Sequence, residues 1–424
     1  MSRFVDPTSG SVEHCEAMAN QFPDLAESYY NVFASYCQQK LWHQLTLLVL
    51  DFLSNRKVTL RPISNAAAAV TEAAMNDKNT FLGLYHRIVL PVSQKLNPLA
   101  LARIAAEVAL WSLDPLAGGM TTVTESKTLL EQLVTKVHLP PATLYLQSKI
   151  GLLTLTKEVP PTSEQLASIY ATIKANADLL HQLMLPDTPE AMLVHAAHYE
   201  MSMTYYKIVG PPEAFYEEAM RYLNYYQPTE DTKSQQHQLA VDVCLAALTG
   251  EGVYNLGQVV TNPFLQCLMG TSEAWLVDLL TSCAKGNVAE FKRLVFQTYA
   301  TQIASQPALV NMSHAMTEKM TLLALVQMVF ECPPSQRTLE FTDIAERLEI
   351  PFEQVEWVVM RAFSVQLMQG SMDQVEGTVH ITWLLPHVLT TDQMSELAQR
   401  FGDWAEKVST IKTDMEQQIP TLTT

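Results

Sequence analysis

The chain has 424 residues, which favours two or three packed units over a single hydrophobic core. Its 14 glycines are few, and long stretches of alternating apolar and polar residues are rare, so helices should dominate. The formal net charge of −17 argues against a nucleic-acid duplex or a membrane surface as the main ligand, because both are polyanionic.

The surface is predicted to be partly covered by neighbouring proteins. Charged residues make up only 17% of the chain, whereas hydrophobic residues make up 48%. An uncovered surface with so little charge would expose apolar patches that promote association. The alternative is a large buried core in a protein that works alone.

The chain is expected to reside in the cytoplasm and the nucleus. Its six cysteines are scattered without a C-x-x-C pair, which favours reduced thiols. The N-terminus has no basic start followed by an apolar run, and the apolar stretches are too short to cross a membrane. We therefore predict a protein without a signal peptide and without membrane contact.

The N-terminal three quarters of the chain are predicted to be an all-α solenoid. Residues 1–22 form an N-terminal segment that is expected to be flexible, and residues 23–330 form TPR-like helical hairpins. Proline is favoured in the first helical turn and disfavoured inside a helix, so each proline cluster should mark the start of a helix. These clusters are Pro98, Asp114-Pro115, Pro140-Pro141, Pro160-Pro161, Pro186 to Pro189 and Pro211-Pro212.

Residues 335–389 are predicted to form a winged helix. A short strand over Thr338–Phe341 precedes a helix that ends near Leu348, and a second helix follows Pro351. The inner side of this second helix is predicted to carry Val355, Val358, Val359, Ala362 and Phe363. Two strands, Leu367–Asp373 and Thr378–Trp383, then flank the turn Gln374–Gly377, with apolar residues at every second position of the last strand. The order of helix, helix and hairpin is typical of a winged helix, and the whole belongs to an all-α fold with one small β-hairpin.

Residues 390–424 are predicted to form a long helix and a tail. Apolar residues follow one another at alternating steps of three and four, which is the pattern of a coiled-coil seam. This seam consists of Met394, Leu397, Phe401, Trp404, Val408, Ile411 and Met415. The helix either joins an intermolecular bundle or folds back on the winged helix, in which case Gly402 could provide a kink.

No residues assemble a catalytic, cofactor or metal site. His195 and His198 lie three residues apart on a predicted helix, but no second ligand pair follows, so packing explains them better than a metal ion. Gly250, Gly252 and Gly257 lack the preceding strand of a phosphate-binding loop and fit a turn between helices. We predict no enzyme, no cofactor and no small-molecule substrate.

Charge argues against nucleic acid as the ligand of the winged helix. Residues 338–383 contain eight acidic and two basic residues, a net charge of −6. Glu353 and Glu356 lie on the helix that would enter a groove, where they would repel phosphates. We predict a module that binds protein.

Four stretches resemble a known family. They are KLWHQLTLLVLDFL at 40–53, LTGEGVYNLGQVV at 248–260, GNVAEFKRL at 286–294 and GSMDQVEGTVHITWLLPHVL at 370–389. They are similar, in the same order, to segments of a PCI-domain subunit of the proteasome regulatory lid. The similarity is clear from Leu248 to Leu389 and in the helix at Lys40, and it is loose from Val58 to Glu230.

This resemblance implies a non-catalytic subunit of the 26S proteasome lid that scaffolds assembly for ubiquitin-dependent degradation. It also implies two contacts with other PCI subunits of the lid: winged helices that pack edge to edge, and C-terminal helices that join a common bundle. The expected open edge is the strand Thr378, Val379, His380, Ile381, Thr382 and Trp383, and the expected bundle contact is the seam.

Three questions stay open at the level of sequence. Val379, Ile381 and Trp383 could cover the core of the winged helix instead of an interface. The chain could be a PCI subunit of a signalosome or of a translation-initiation complex. It could also be a nucleic-acid-binding winged-helix adaptor, as some PCI proteins are.

Overall fold

A computed structural model describes residues 9–21, 26–59, 83–113, 123–157, 161–183, 188–226, 233–332, 337–385 and 391–418. The chain divides into two compact units, residues 1–233 and 234–424. The predicted helix starts at Asp114-Pro115, Pro160 and Pro186 lie outside the described residues, as does the C-terminal tail beyond residue 418.

The described part of the first unit is helical. Its α-helices are α1 (Ser9–Gln21), α2 (Asn31–Gln39), α3 (Trp42–Thr59), α4 (Pro98–Ser112), α5 (Val123–Lys136), α6 (Pro140–Lys157), α7 (Ser163–Leu183), α8 (Pro189–Val209) and α9 (Pro212–Tyr225). A π-helical turn (Ala26–Tyr30) precedes α2, and a π-helical turn (Tyr85–Val89) and a 3-10 helix (Leu90–Lys95) precede α4.

Proline positions set several of these helix starts, as predicted. Pro98, Pro140, Pro189 and Pro212 are each the first residue of a helix, where the missing N–H has no intrahelical acceptor to lose. At α8 the side chain of Thr188 also accepts a hydrogen bond from the N–H of Ala191 at 3.3 Å. The local sequence therefore determines where these hairpins turn.

Consecutive helices of the first unit pack against each other around two clusters of buried apolar residues. Helix α8 packs on both α6 and α9, and Lys149 of α6 donates to Glu200 of α8 at 2.7 Å. The N-terminal segment was expected to be flexible, and for residues 9–21 this expectation is wrong. Cys15 and Met18 of α1 are buried in the core, because α1 presents its apolar residues to α2.

The second unit begins with helices and ends with the winged helix. Its α-helices are α10 (Lys233–Thr249), α11 (Leu256–Val260), α12 (Ala274–Ala284), α13 (Val288–Arg293), α14 (Ala300–Ala304), α15 (Pro307–Asn311), α16 (Ser313–Glu331), α17 (Phe341–Leu348), α18 (Phe352–Ser364) and α19 (Thr391–Gln418). Its strands are β1 (Thr338–Glu340), β2 (Met368–Asp373) and β3 (Thr378–Leu384).

The winged helix has a three-stranded antiparallel sheet in the order β1-β3-β2. Helix α16 packs on α17, α18 and β3, so the helix that precedes the module also covers its core. The compact unit therefore begins at residue 234, whereas the sequence predicted a boundary after residue 330.

The predicted fold class is confirmed. The described residues are predominantly helical, with one small sheet, and helical repeats precede a winged helix. The predicted order of strand, helix, helix and hairpin matches the observed order from β1 to β3, with strand ends within two residues of the prediction.

Candidate functional site: interaction surfaces of the second unit

The strand predicted to be an open edge lies in the centre of the sheet. Strand β3 pairs with β1 on one side, through Leu339 opposite Val379, and with β2 on the other, through Met372 opposite Val379. The prediction of an open edge over Thr378–Trp383 is therefore wrong. The reason is β1, a three-residue strand that precedes α17, α18 and β2 in the chain and pairs with the side of β3 that the hairpin alone would leave open.

The side chains of β3 divide between the core and the surface. Val379 and Ile381 are buried beneath the sheet, whereas His380 and Thr382 are exposed on its outer face. Trp383 departs from the alternation and is 39% exposed, because the pairing of β2 and β3 shifts register at a bulge. Of the three predicted apolar residues, two therefore cover the core and one is available at the surface.

The available sheet edges are the outer sides of β1 and β2. Among the described strands, β1 and β2 each pair only with β3. Strand β2 has six residues and β1 has three, so β2 offers the longer row of backbone groups. An edge-to-edge contact would thus use one of these two strands.

Helix α19 carries the predicted seam on an exposed face. All seven seam residues are exposed, with exposed fractions between 41% and 65%. The helix runs unbroken from Thr391 to Gln418 and passes through Gly402. In this structure, α19 therefore presents an apolar stripe to solvent.

Helix α18, like α19, has an exposed apolar face, and this face was not predicted from the sequence. Of the five predicted inner residues, Val355, Val358, Val359 and Ala362 are buried and Phe363 is half-buried. Phe352, Trp357 and Met360 lie outside this buried stripe and are exposed. The signal was present in the sequence, because these three large apolar residues lie outside the predicted inner face.

Two arginines of the winged helix form ion pairs with acidic residues of the helix that precedes it. Arg347 donates to Glu331 at 3.1 Å, and Arg361 donates to Glu318 at 2.9 Å. Both acids belong to α16, so these pairs tie α17 and α18 to that helix. The charge left on the outer side of α18 is therefore negative, and such a surface repels phosphates.

The histidine pair lies in the first unit, in a cleft of about 440 Å³ between α7, α8 and α9. His195 stacks on Tyr225 with ring centroids 4.7 Å apart. His198 is buried, and burial lowers its pKa to about 4, with smaller contributions from His195 and Arg221. The ring of His195 thus packs against α9, and the ring of His198 is enclosed by the walls of the cleft.

The described residues contain neither a cluster of metal ligands nor a membrane-spanning helix. No group of three or more histidine, cysteine, aspartate or glutamate side chains lies close enough together to hold a metal ion there. Within the same residues, no helix combines the length and the apolar character that a membrane span requires.

Comparisons with known proteins agree with this arrangement. A sequence family described as "PSD13 N-terminal repeats" matches residues 29–280, and the PCI domain matches residues 296–383. Helical repeats that precede a winged helix, together with these matches, define the class of PCI-domain proteins. Within that class, the chain belongs to the PSD13 family, whose repeats match more than half of its length.

Relatives cover nearly the whole chain. The 26S proteasome non-ATPase regulatory subunit 13 homolog A of Arabidopsis thaliana is 29% identical and aligns with 97% of this chain and 99% of its own length. Subunit 13 of Dictyostelium discoideum is 28% identical over 94% of this chain and 95% of its own length. The eukaryotic translation initiation factor 3 subunit M of Coccidioides immitis is 23% identical over 48% of this chain and 43% of its own length.

Proposed function

We propose that the chain is a non-catalytic, structural subunit of the regulatory lid of the 26S proteasome. Similarity over nearly the full length to proteins named as proteasome regulatory subunits supports this function. The observation in the structure that carries it is the exposed apolar seam of α19, since a lone protein gains nothing from a solvated stripe of this kind. The subunit would scaffold the assembly that degrades ubiquitin-tagged proteins.

The alternatives are less well supported. Similarity to a translation-initiation subunit covers only about half of the chain at lower identity. A nucleic-acid adaptor would need basic groups on the winged helix, whose net charge is −6. An enzyme would need a site, and neither the motifs in the sequence nor the regulatory names of the relatives indicate one.

Two surfaces of the second unit would contact other PCI subunits of the lid. The outer edge of β2 or of β1 would pair with a strand of a neighbouring winged helix, in place of the β3 edge that the sequence suggested. The seam of α19 would join a bundle of C-terminal helices, because alternating steps of three and four place its apolar residues on one side. The assembled subunit would reside in the cytoplasm and the nucleus.

Affinity purification of the full-length chain tests this function. Recovery of other lid subunits in near-equal amounts is expected for the unmodified chain. The double variant Trp404→Asp, Ile411→Asp places two charges in the seam, and at least a tenfold loss of recovered lid subunits is expected, because each charge would be buried in the bundle.

The matched control carries the same charges on the opposite face of α19. Gln399 and Thr413 are exposed and lie away from the seam, so the variant Gln399→Asp, Thr413→Asp should assemble normally. Equal recovery of lid subunits with both double variants would show that the seam does not mediate assembly. Recovery of a signalosome or an initiation complex with the unmodified chain would refute the assignment to the lid.

A further inference from the structure

We propose that the outer face of α18 binds a basic amphipathic segment of another protein chain. This face, called the α18 face below, consists of Phe352, Glu353, Glu356, Trp357 and Met360. It is distinct from the sheet edges and from the α19 seam, and the inference does not depend on membership of the proteasome lid.

The apolar part of the α18 face is large and held in place. Phe352, Trp357 and Met360 are 54%, 53% and 47% exposed. At 100° per residue they span an arc of about 140°, with Met360 between the other two. Such an exposed aromatic cluster on a helix is typical of a binding surface, because Trp and other aromatic residues provide most of the anchoring contacts in interfaces.

The helix beneath this face is rigidly attached. Val355 and Val359 are fully buried on its opposite side, and Arg361 pairs with Glu318 of α16 at 2.9 Å. The ring of Phe352 lies 5.9 Å from the ring of Phe341, measured between centroids. A partner would therefore meet a preformed surface and would not have to order it.

The wing extends the same surface. Gln374 donates to the carboxylate of Glu356 at 3.0 Å, which joins the hairpin turn to α18. The turn is fixed by Asp373, whose Oδ1 accepts from the N–H groups of Val375 and Glu376. Val375 at the tip is 94% exposed, so it adds an apolar contact next to the helix.

Charge determines which partner fits. Glu353 and Glu356 lie among the apolar residues of the α18 face, and Glu376 lies on the wing. Neither these three acids nor Asp373 forms an ion pair within the described part of the chain. A segment that buries apolar residues here must therefore bring lysine or arginine to these carboxylates.

The same charges disfavour other occupants. Residues 391–418, which contain the apolar seam, have six acidic and three basic residues, so α19 of this chain or of a second copy would meet like charge. A nucleic acid would be repelled for the same reason. The observations therefore favour a different, basic protein segment.

Fluorescence anisotropy on the purified full-length chain tests the inference. The probe is a labelled 18-residue helical peptide with leucines on one face and lysines beside them. A version with glutamate for lysine and a version with the leucines scattered serve as controls. Binding of the lysine peptide that weakens with salt is expected, with at least tenfold weaker binding of both control peptides.

Variants locate the binding on the α18 face. Trp357→Ala with Met360→Ala should weaken binding at least tenfold, whereas Phe296→Ala with Met269→Ala, which remove apolar residues of at least equal exposure elsewhere, should not. Glu353→Lys with Glu376→Lys should weaken it and reduce its salt dependence, whereas Glu131→Lys with Glu164→Lys should not. Thermal melting of each variant verifies folding.

Several results would overturn the inference. They are equal binding by the face variants and their controls, equal binding of the glutamate peptide, or tighter binding of a 391–418 peptide than of the lysine peptide. Displacement of the lysine peptide by a short RNA through the same residues would assign the face to nucleic acid. Each readout uses the isolated chain, so its failure is separate from a failure to assemble into the lid.

Discussion

At the scale of single residues, Lys319 shows how the second unit tolerates a buried charge. Its Nζ donates to the carbonyl oxygens of Ala247 at 2.6 Å and of Gly250 at 2.9 Å, near the end of α10. Carbonyls at a helix C-terminus lack intrahelical donors, and a cation there is favoured by the helix dipole. Burial nevertheless lowers the pKa of Lys319 to about 8, against an ordinary value of 10.5.

We predict that Lys319→Met lowers the free energy of unfolding by about 1–3 kcal/mol near neutral pH, because two carbonyls lose their donor. The folded-state pKa lies below the ordinary value, so the unfolded chain binds more protons between about pH 8 and 10.5. The stability of the unmodified chain therefore rises with pH in this range. Relative to the variant, its free energy of unfolding increases by about 2 kcal/mol between about pH 7.5 and 9.5.

Urea denaturation of both proteins at about pH 7.5 and 9.5 measures this difference. Burial raises the pKa of Tyr216 to about 12 and also raises the pKa of Tyr222, but both tyrosines are common to the two proteins and cancel in the comparison. Lys292→Met, which removes an exposed lysine paired with Glu349, is the control and should show no such widening. A gap that stays constant with pH would show that Lys319 does not change its protonation in this range.

At the scale of elements, Gly370 allows the bulge that shapes the wing. The register of β2 and β3 shifts between Gln369 and Gly370. A Cβ at residue 370 would overlap the carbonyl oxygen of His380 and lie 3.0 Å from Cα of Ile381. These are backbone atoms of the central strand, so they cannot rotate away as a flexible side chain would.

We expect Gly370→Ala to destabilise the second unit by about 1–3 kcal/mol, because the strands must separate or change register. Urea denaturation, with hydrogen exchange of the amides of β2 and β3, measures the effect. Gly402→Ala is the matched control, because no atom lies within 4 Å of the added Cβ. It should stabilise α19 by up to about 1 kcal/mol, and equal effects of the two changes would contradict this account.

At the scale of the whole molecule, α19 is expected to contribute to assembly and not to the stability of either compact unit. Its described side chains are all exposed, so α19 buries little apolar surface in the folded chain. A chain that ends at residue 390 should therefore melt at the same temperature as the full-length chain but should not recover lid subunits. A clearly lower melting temperature would mean that α19 folds back on the winged helix.

Local patterns were sufficient to predict most of the winged helix. The inner residues of α18 and the turn Gln374–Gly377 follow from periodicity and turn chemistry, which act within a few residues. Residues 9–21 were misjudged because the segment has a weak apolar pattern, and its order comes from contacts with α2. Packing against α2 therefore stabilises this helix, which its local apolar pattern alone did not predict.

Local sequence patterns were enough to predict the fold class, the order of elements in the winged helix, the seam of α19 and the resemblance to the PCI family. Three features became visible only in the folded chain: β3 is central, Trp383 leaves the core face, and α18 exposes Phe352, Trp357 and Met360. Periodicity and turns are properties of neighbouring residues. Strand order and exposure depend on contacts between segments that are far apart in the chain. Here β1 pairs with β3, and α16 packs against α17, α18 and β3.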